Sequence, residues 1–265
     1  MDSRTFDTPG GLEVELRIPS GWIQIRAEQT GETRLDVRGE RDEDDFLISF
    51  DEVGARGHRL TVEYRKRGIG FGWGDGDMQV DLTVPTGTRV AIETGSADVD
   101  ITGSIGSLDV KSGSGDCRFD AVEGDVDVKT ASGDVSGGIV RGNLTAHTAS
   151  GDARVRSVNG DVVGRSASGD MSIGSAGAVQ LTTVSGDVEL AAVHSGANTI
   201  RSVSGDVEVG VPRGTRVYLD LMSTSGETIS DLDMSGDAAD VGAELELHVS
   251  TVSGDIRVVR AAAGA

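Results

Sequence analysis

Residues 114–170 read SGDCRFDAVEGDVDVKTA, SGDVSGGIVRGNLTAHTA, SGDARVRSVNGDVVGRSA, and then SGD again. Broken this way, the stretch is three units of 18 residues, each opening on Ser-Gly-Asp. The Gly of this tripeptide, or of a close variant, stands at 115, 133, 151, 169, 186, 205, 226 and 254, in steps of 18, 18, 18, 17, 19, 21 and 28. A half-step is present as well. Gly124-Asp125, Gly142-Asn143 and Gly160-Asp161 each follow a turn Gly by nine residues. Self-similarity at a fixed period marks a stack of equivalent supersecondary units. The widening steps at the far end read as insertions, the longest over residues 227–253.

The apolar residues keep the same period. Counted from the turn Gly, offsets +2, +4 and +7 give Cys117, Phe119 and Val122, then Val135, Gly137 and Val140, then Ala153, Val155 and Val158. Offsets +11, +13 and +16 give Val126, Val128 and Ala131, then Leu144, Ala146 and Ala149, then Val162, Gly164 and Ala167. Alternation of this kind is the signature of a strand with one face inward. No segment has a convincing helical period. The predicted fold is therefore all-β: a parallel β-solenoid, or β-helix, with coils of about 18 residues, two short strands and two turns to each. Successive coils stack about 4.8 Å apart. One coil cannot bury its apolar face alone, but a stack can. The turn Gly is expected to supply backbone conformations that other residues resist, and the adjacent Asp and Ser to bond turn N–H groups.

Stepping back 18 residues from Gly115 reaches Ala97-Asp98, so the register begins before residue 100. Val84-Pro85-Thr86-Gly87-Thr88-Arg89-Val90 is echoed by Val211-Pro212-Arg213-Gly214-Thr215-Arg216-Val217. Residues 1–78 differ. They lack the Ser-Gly-Asp period and hold seven of the nine aromatics: Phe6, Trp22, Phe46, Phe50, Tyr64, Phe71 and Trp73. The expected organisation is a divergent N-terminal β cap over 1–78, a repeat region over 79–260 and a frayed tail over 261–265. A cap is needed because an open stack exposes strand edges.

Composition narrows the function. The aromatic content is 3%, so a thin aliphatic interior is expected. The net charge of −20 repels nucleic acid and anionic lipid surfaces and favours basic partners. No stretch approaches the roughly twenty apolar residues of a membrane-spanning helix, and the start has no apolar signal region. A cytoplasmic protein is the expectation. The single cysteine, Cys117, rules out an intrachain disulfide and falls on an inward position beside Phe119.

The Ser-Gly-Asp-Val turns, the two Val-Pro-x-Gly-Thr-Arg-Val segments and the opening Phe-Asp-Thr-Pro resemble the DUF4097 family of bacterial β-strand-repeat proteins, which are also called adhesin-like. The resemblance covers nearly the whole chain and is most specific from about residue 80 to 260. It implies a β-helix-like fold and brings no catalytic residues with it.

Candidate sites are few. Stacking aligns Asp116, Asp134, Asp152, Asp170, Asp187 and Asp206 in a row, where like charges repel by roughly 1 kcal/mol per pair in a water-like dielectric. Turn N–H donors would relieve this, and a bound Ca²⁺ is the competing answer. The calcium roll of nine-residue repeats carries Gly-Gly-x-Gly-x-Asp loops, whereas here Asp directly follows a single Gly. The loop from Gly68 to Asp77 joins two strand-like runs and ends acidic, unlike a phosphate loop. Its Phe71 and Trp73 are candidate partner anchors. The four histidines lack metal-ligand spacing, and no Gly-x-Ser-x-Gly elbow stands out. No cofactor is expected apart from the Ca²⁺ alternative. The reading that follows is a non-enzymatic scaffold for a protein partner, as monomer or weak homo-oligomer, with no nucleic acid and no membrane insertion. The alternatives are a self-assembling structural β-helix, like a bactofilin filament, and a calcium- or glycan-binding surface module.

Overall fold

The computed structural model describes residues 2–39, 46–54, 57–65, 78–232 and 244–262. It divides into two compact units, Met1–Ser136 and Gly137–Ala265. Every regular element among the described residues is a β-strand. In both units the strands form mostly parallel sheets, the architecture of a β-solenoid.

The first unit holds β1 (Asp2–Asp7), β2 (Gly11–Ile18), β3 (Trp22–Glu28), β4 (Glu32–Arg38), β5 (Phe46–Val53), β6 (Gly57–Tyr64), β7 (Gln79–Pro85), β8 (Arg89–Thr94), β9 (Asp98–Ile105), β10 (Ser107–Ser112), β11 (Cys117–Val122), β12 (Val126–Thr130) and the start of β13 (Val135–Val140). One sheet runs β1-β4-β7-β3-β9-β11 and the other β5-β6-β2-β8-β10-β12. From β8 to β12 the chain alternates between them, one strand to each. Parallel register keeps equivalent residues level. Leu108 sits beside Val90 and Val126, and Val110 beside Ile92 and Val128. All six are buried.

Antiparallel pairing among the described residues lies at one outer edge, where β1 meets β4, β4 meets β7, and β5 meets β6. Residues 1–78 thus supply parallel strands β2, β3 and β6 as well as these edges. The aromatics gather here. Phe6 stacks on Phe50 at 4.6 Å between ring centres, and Phe50 on His58 at 5.1 Å, which ties β1 of one sheet to β5 and β6 of the other.

The second unit holds β14 (Leu144–Thr148), β15 (Ala153–Val158), β16 (Val162–Ser166), β17 (Met171–Ala176), β18 (Val179–Thr183), β19 (Val188–Val193), β20 (Gly196–Arg201), β21 (Val207–Val211), β22 (Arg216–Ser223), β23 (Thr228–Ser230), β24 (Glu244–Thr251) and β25 (Ile256–Arg260). Its sheets run β15-β17-β19-β21-β25-β23 and β14-β16-β18-β20-β24-β22. Val155, Ile173, Leu190, Val209 and Val258 make one inward column, all buried. Each such side chain stabilises the stack by about 1.5–3 kcal/mol.

Two expectations need correcting. The widening steps at the far end are not simple insertions into a linear stack. The last coil, β24–β25, lies between β20–β21 and β22–β23, so chain order and spatial order differ. Asn198 marks the wedge. It is fully buried, accepts the Val179 N–H at 2.8 Å and donates to the Glu246 carbonyl at 3.1 Å, linking β18, β20 and β24.

The turn Gly residues have a different reason from the one expected. Among the described residues none of the Ser-Gly-Asp or Ser-Gly-Glu glycines has positive φ. They are needed for room. A Cβ on Gly169, Gly186 or Gly205 would fall inside the carbonyl oxygen of the turn Gly one coil below. Stacking at strand spacing brings the backbones too close for any side chain.

Candidate functional site

The turn that follows β10, β12, β14 and their counterparts is built from a five-residue unit, Ser/Thr-x-Ser-Gly-Asp. Its first hydroxyl accepts the N–H of the turn Gly. Thr130 does so for Gly133 at 3.0 Å, Ser166 for Gly169 at 2.7 Å, Thr183 for Gly186 at 3.0 Å and Ser202 for Gly205 at 2.9 Å. This hydroxyl, three residues before the turn Gly, turns inward, and Ser166, Thr183 and Ser202 are buried. The expectation that offset +16 points inward is therefore wrong. Ala131, Ala149 and Ala167 are exposed, because the chain leaves the strand one residue earlier to close the turn. The signal was available in Thr130, Thr148, Ser166, Thr183 and Ser202, a recurring hydroxyl three residues before Gly.

The aspartate that ends the unit bonds the next coil. In the first unit Asp98 accepts the Asp116 N–H at 2.9 Å and Asp116 the Asp134 N–H at 2.8 Å. In the second, Asp152 accepts from Asp170 at 2.9 Å, Asp170 from Asp187 at 2.9 Å, and Asp187 from Asp206 at 2.8 Å. The ladder continues past the residues read from the sequence. Asp206 accepts from Asp255, and Asp255 from Glu227, both at 2.8 Å. It thus follows spatial order, not chain order. A hydrogen bond to a charged acceptor contributes about 1.5–3 kcal/mol, enough to offset the repulsion between neighbouring carboxylates. The Asp170 N–H holds the Asp152 carboxyl below its ordinary range against the opposing effect of burial, and Arg154, 2.7 Å away, adds to the lowering.

One oxygen of each of these carboxylates is committed to an amide, and at Asp152 the other oxygen takes Arg154. Among the described residues no group of three or more His, Cys, Asp and Glu side chains is arranged to hold a metal ion. Phe71 and Trp73 lie outside the described residues.

Other chemistry-bearing groups are dispersed. Burial, with the Asp116 charge adding to it, pushes the Cys117 thiol up to about 12, so it stays protonated and inert at neutral pH. The Ser175 hydroxyl lies 3.2 Å from His194 Nε2 on the outer surface, a pair not read from the sequence. The described residues place no carboxylate on the other ring nitrogen, so the imidazole is not oriented as a general base would be.

The ladder borders a groove of about 450 Å³ in the second unit, whose lining includes Asp187, Asp206, Glu208 and Asp255 together with Arg154 and Arg257. Beside it runs an apolar row. Val184, Val203 and Val252 are 48, 47 and 51% exposed, and each precedes a ladder aspartate by three residues. Backbone bonds from Ser204 to the Val184 carbonyl and from Ser253 to the Val203 carbonyl set the three valines in successive coils.

An all-β parallel solenoid whose coils are joined by a ladder of turn carboxylates defines the class of protein. The chain belongs to the Toastrack family, DUF4097, whose profile matches residues 13–259. Among solved structures it is similar to an adhesin candidate from Bacteroides fragilis, at 13% identity over 97% of this chain and 96% of that one, with a TM-score of 0.49. It is also similar to an adhesin candidate from Parabacteroides distasonis, at 16% identity over 97% and 96%, with a TM-score of 0.47. A candidate cell adhesion protein from Clostridium sporogenes matches at 11% identity over 98% of both chains, with a TM-score of 0.29. The curated proteins contain no match. No helix among the described residues is long and apolar enough to cross a membrane.

Proposed function

We propose that the protein is a non-enzymatic β-solenoid scaffold that docks a protein partner along the turns of its second unit. The observation that carries this reading is the pairing of two rows on one surface. Val184, Val203 and Val252 are exposed, and Asp187, Asp206 and Asp255 stand beside them in the same turns. Exposed apolar side chains in a row gain by being covered, and adjacent carboxylates select for positive charge. The partner that fits is an extended segment with alternating basic and apolar residues. A chain of net charge −20 speeds the approach of such a partner at low salt. The same reading keeps the expectation of a cytoplasmic setting.

The test is fluorescence anisotropy with a labelled peptide of alternating Lys and Leu, titrated with the full chain at low and high salt. Binding should weaken with salt, and should weaken about tenfold or more when Val184, Val203 and Val252 are all replaced by Ser. Equal affinity for the wild type and the triple variant, or no binding at low salt, would remove the docking surface from this row.

A further inference from the structure

The outermost strand of the second unit points to a second copy of this chain. Strand β22 pairs with β24 on one side and ends its sheet on the other, so among the described residues a row of its N–H and C=O groups has no strand partner. Its inward residues show that the stack is incomplete. Val217, Leu219 and Leu221 sit level with Leu245, Leu247 and Val249 of β24. The three in β24 are buried at 0–2% exposure, whereas the three in β22 are only half-buried, and no described strand lies beyond them. On the outer face Tyr218 and Met222 are 63 and 64% exposed. Strand β23, with exposed Ile229, ends the other sheet in the same way.

We infer that β22 pairs antiparallel with β22 of a second copy about a twofold axis at Tyr218, giving a closed dimer. The segment Arg216-Val217-Tyr218-Leu219-Asp220 is self-complementary in that register. Directly opposed residues of an antiparallel pair share a face. Arg216 then faces Asp220 of the second copy, twice by symmetry, Val217 faces Leu219, and Tyr218 faces its own equivalent. A twofold axis at Leu219 would set Arg216 against Met222, and an axis at Asp220 would set two carboxylates together. Asp220 also lies 3.2 Å from His248 Nδ1, which leaves its second oxygen for the arginine. The isologous arrangement covers the half-buried Val217 and Leu219 on both sides and occupies the edge over residues 216–220, so assembly stops at two. It stands apart from the partner-docking surface, since Val203 and the ladder aspartates take no part in it.

The experiment is sedimentation equilibrium of the full chain from low micromolar to sub-millimolar concentration, with circular dichroism as the check on folding. The wild type should dimerise. Arg216→Asp and Asp220→Arg should each weaken dimerisation about tenfold or more by opposing like charges, and the double variant should restore it. Tyr218→Cys should form a disulfide-linked dimer on mild oxidation, whereas Met222→Cys should not, and the buried Cys117 takes no part. A wild type that stays monomeric throughout, a dimer indifferent to both single swaps, or a double variant that fails to recover would each overturn the proposal.

Discussion

The Oδ1 of Asp187 accepts the backbone N–H of Asp206 at 2.8 Å, while its own N–H is donated to Asp170 at 2.9 Å. One residue, through its side chain and its own amide, therefore ties three coils. Removing the side chain orphans the Asp206 N–H, so Asp187→Ala should lower stability by about 1–3 kcal/mol in urea unfolding. Asp187→Asn should cost less, because an amide oxygen can take the same bond. Asn143 does so for the Asp161 N–H at 3.0 Å in the opposite turn. Equal losses in the two variants would mean that the charge, and not the acceptor, matters.

Acid should loosen the fold from the carboxylate side. The Asp170 N–H lowers the Asp152 pKa, and the hydrogen bond from Arg59 lowers that of Glu13. A carboxyl with a depressed folded pKa contributes stability above its unfolded value, near 3.9 for Asp and 4.3 for Glu, and loses it as pH falls through the folded value. The melting temperature should be level between about pH 7 and 5 and drop below about pH 4. Asp152→Asn should flatten that drop. A slope unchanged in Asp152→Asn would show that this turn does not contribute to it.

Gly169→Ala tests the close approach of stacked turns. Its Cβ would collide with the Gly151 carbonyl. Relief requires the coils to part, which should cost about 3 kcal/mol. Gly87 has positive φ but open space around its missing side chain. Gly87→Ala should therefore be the milder of the two, with a loss of about 1 kcal/mol.

Asn198→Leu removes the acceptor for the Val179 N–H and the donor to the Glu246 carbonyl together. The buried Val179 N–H loses its acceptor, and the Ser195 and Gly196 carbonyls lose the same amide donor, so a loss of about 2–4 kcal/mol is expected. Hydrogen exchange should show the opening concentrated in β18, β20 and β24. Uniform opening across the second unit would contradict a local role.

Val155→Asp should unfold a block of coils, because Val155 is 3% exposed and nothing beside it can pair a charge. Its outward neighbour Arg154 makes an exposed ion pair with Asp152. Arg154→Ala should change stability by less than about 1 kcal/mol. Matching melts for the two variants would mean that the inward register is wrong.

Much of this was legible in the sequence. The inward positions at +2, +4, +7, +11 and +13 follow from alternation, and the structure buries Cys117, Phe119, Val122, Val126 and Val128. The row of aspartates was legible too, along with turn N–H groups as its partners. What escaped was the last step of each half-coil. Alternation predicted Ala131 and Ala149 inward, but a turn does not keep a strand's period, and the hydroxyl before them takes the inward place. The reason for the turn Gly escaped for a similar cause: a collision between coils is invisible in one coil's sequence. The position of β24 escaped because spacing measures distance along the chain, and Gly254 stacks on Gly205 while Gly226 stacks on Gly254. Asn198 was the available clue, a polar residue on an inward position.

That wedge limits how the protein can be completed. Elsewhere in the second unit a finished coil is the template for the coil made next, so order can spread in the direction of synthesis. At the end this sequence reverses. Strands β22 and β23 leave the ribosome before β24 and β25, yet among the described residues their neighbours in the sheets are those later strands. Among the described strands they have nothing to settle on until β24 and β25 arrive, and the gap left for those strands must stay open until then. The outer coil of the second unit is therefore locked in place by a coil made after it.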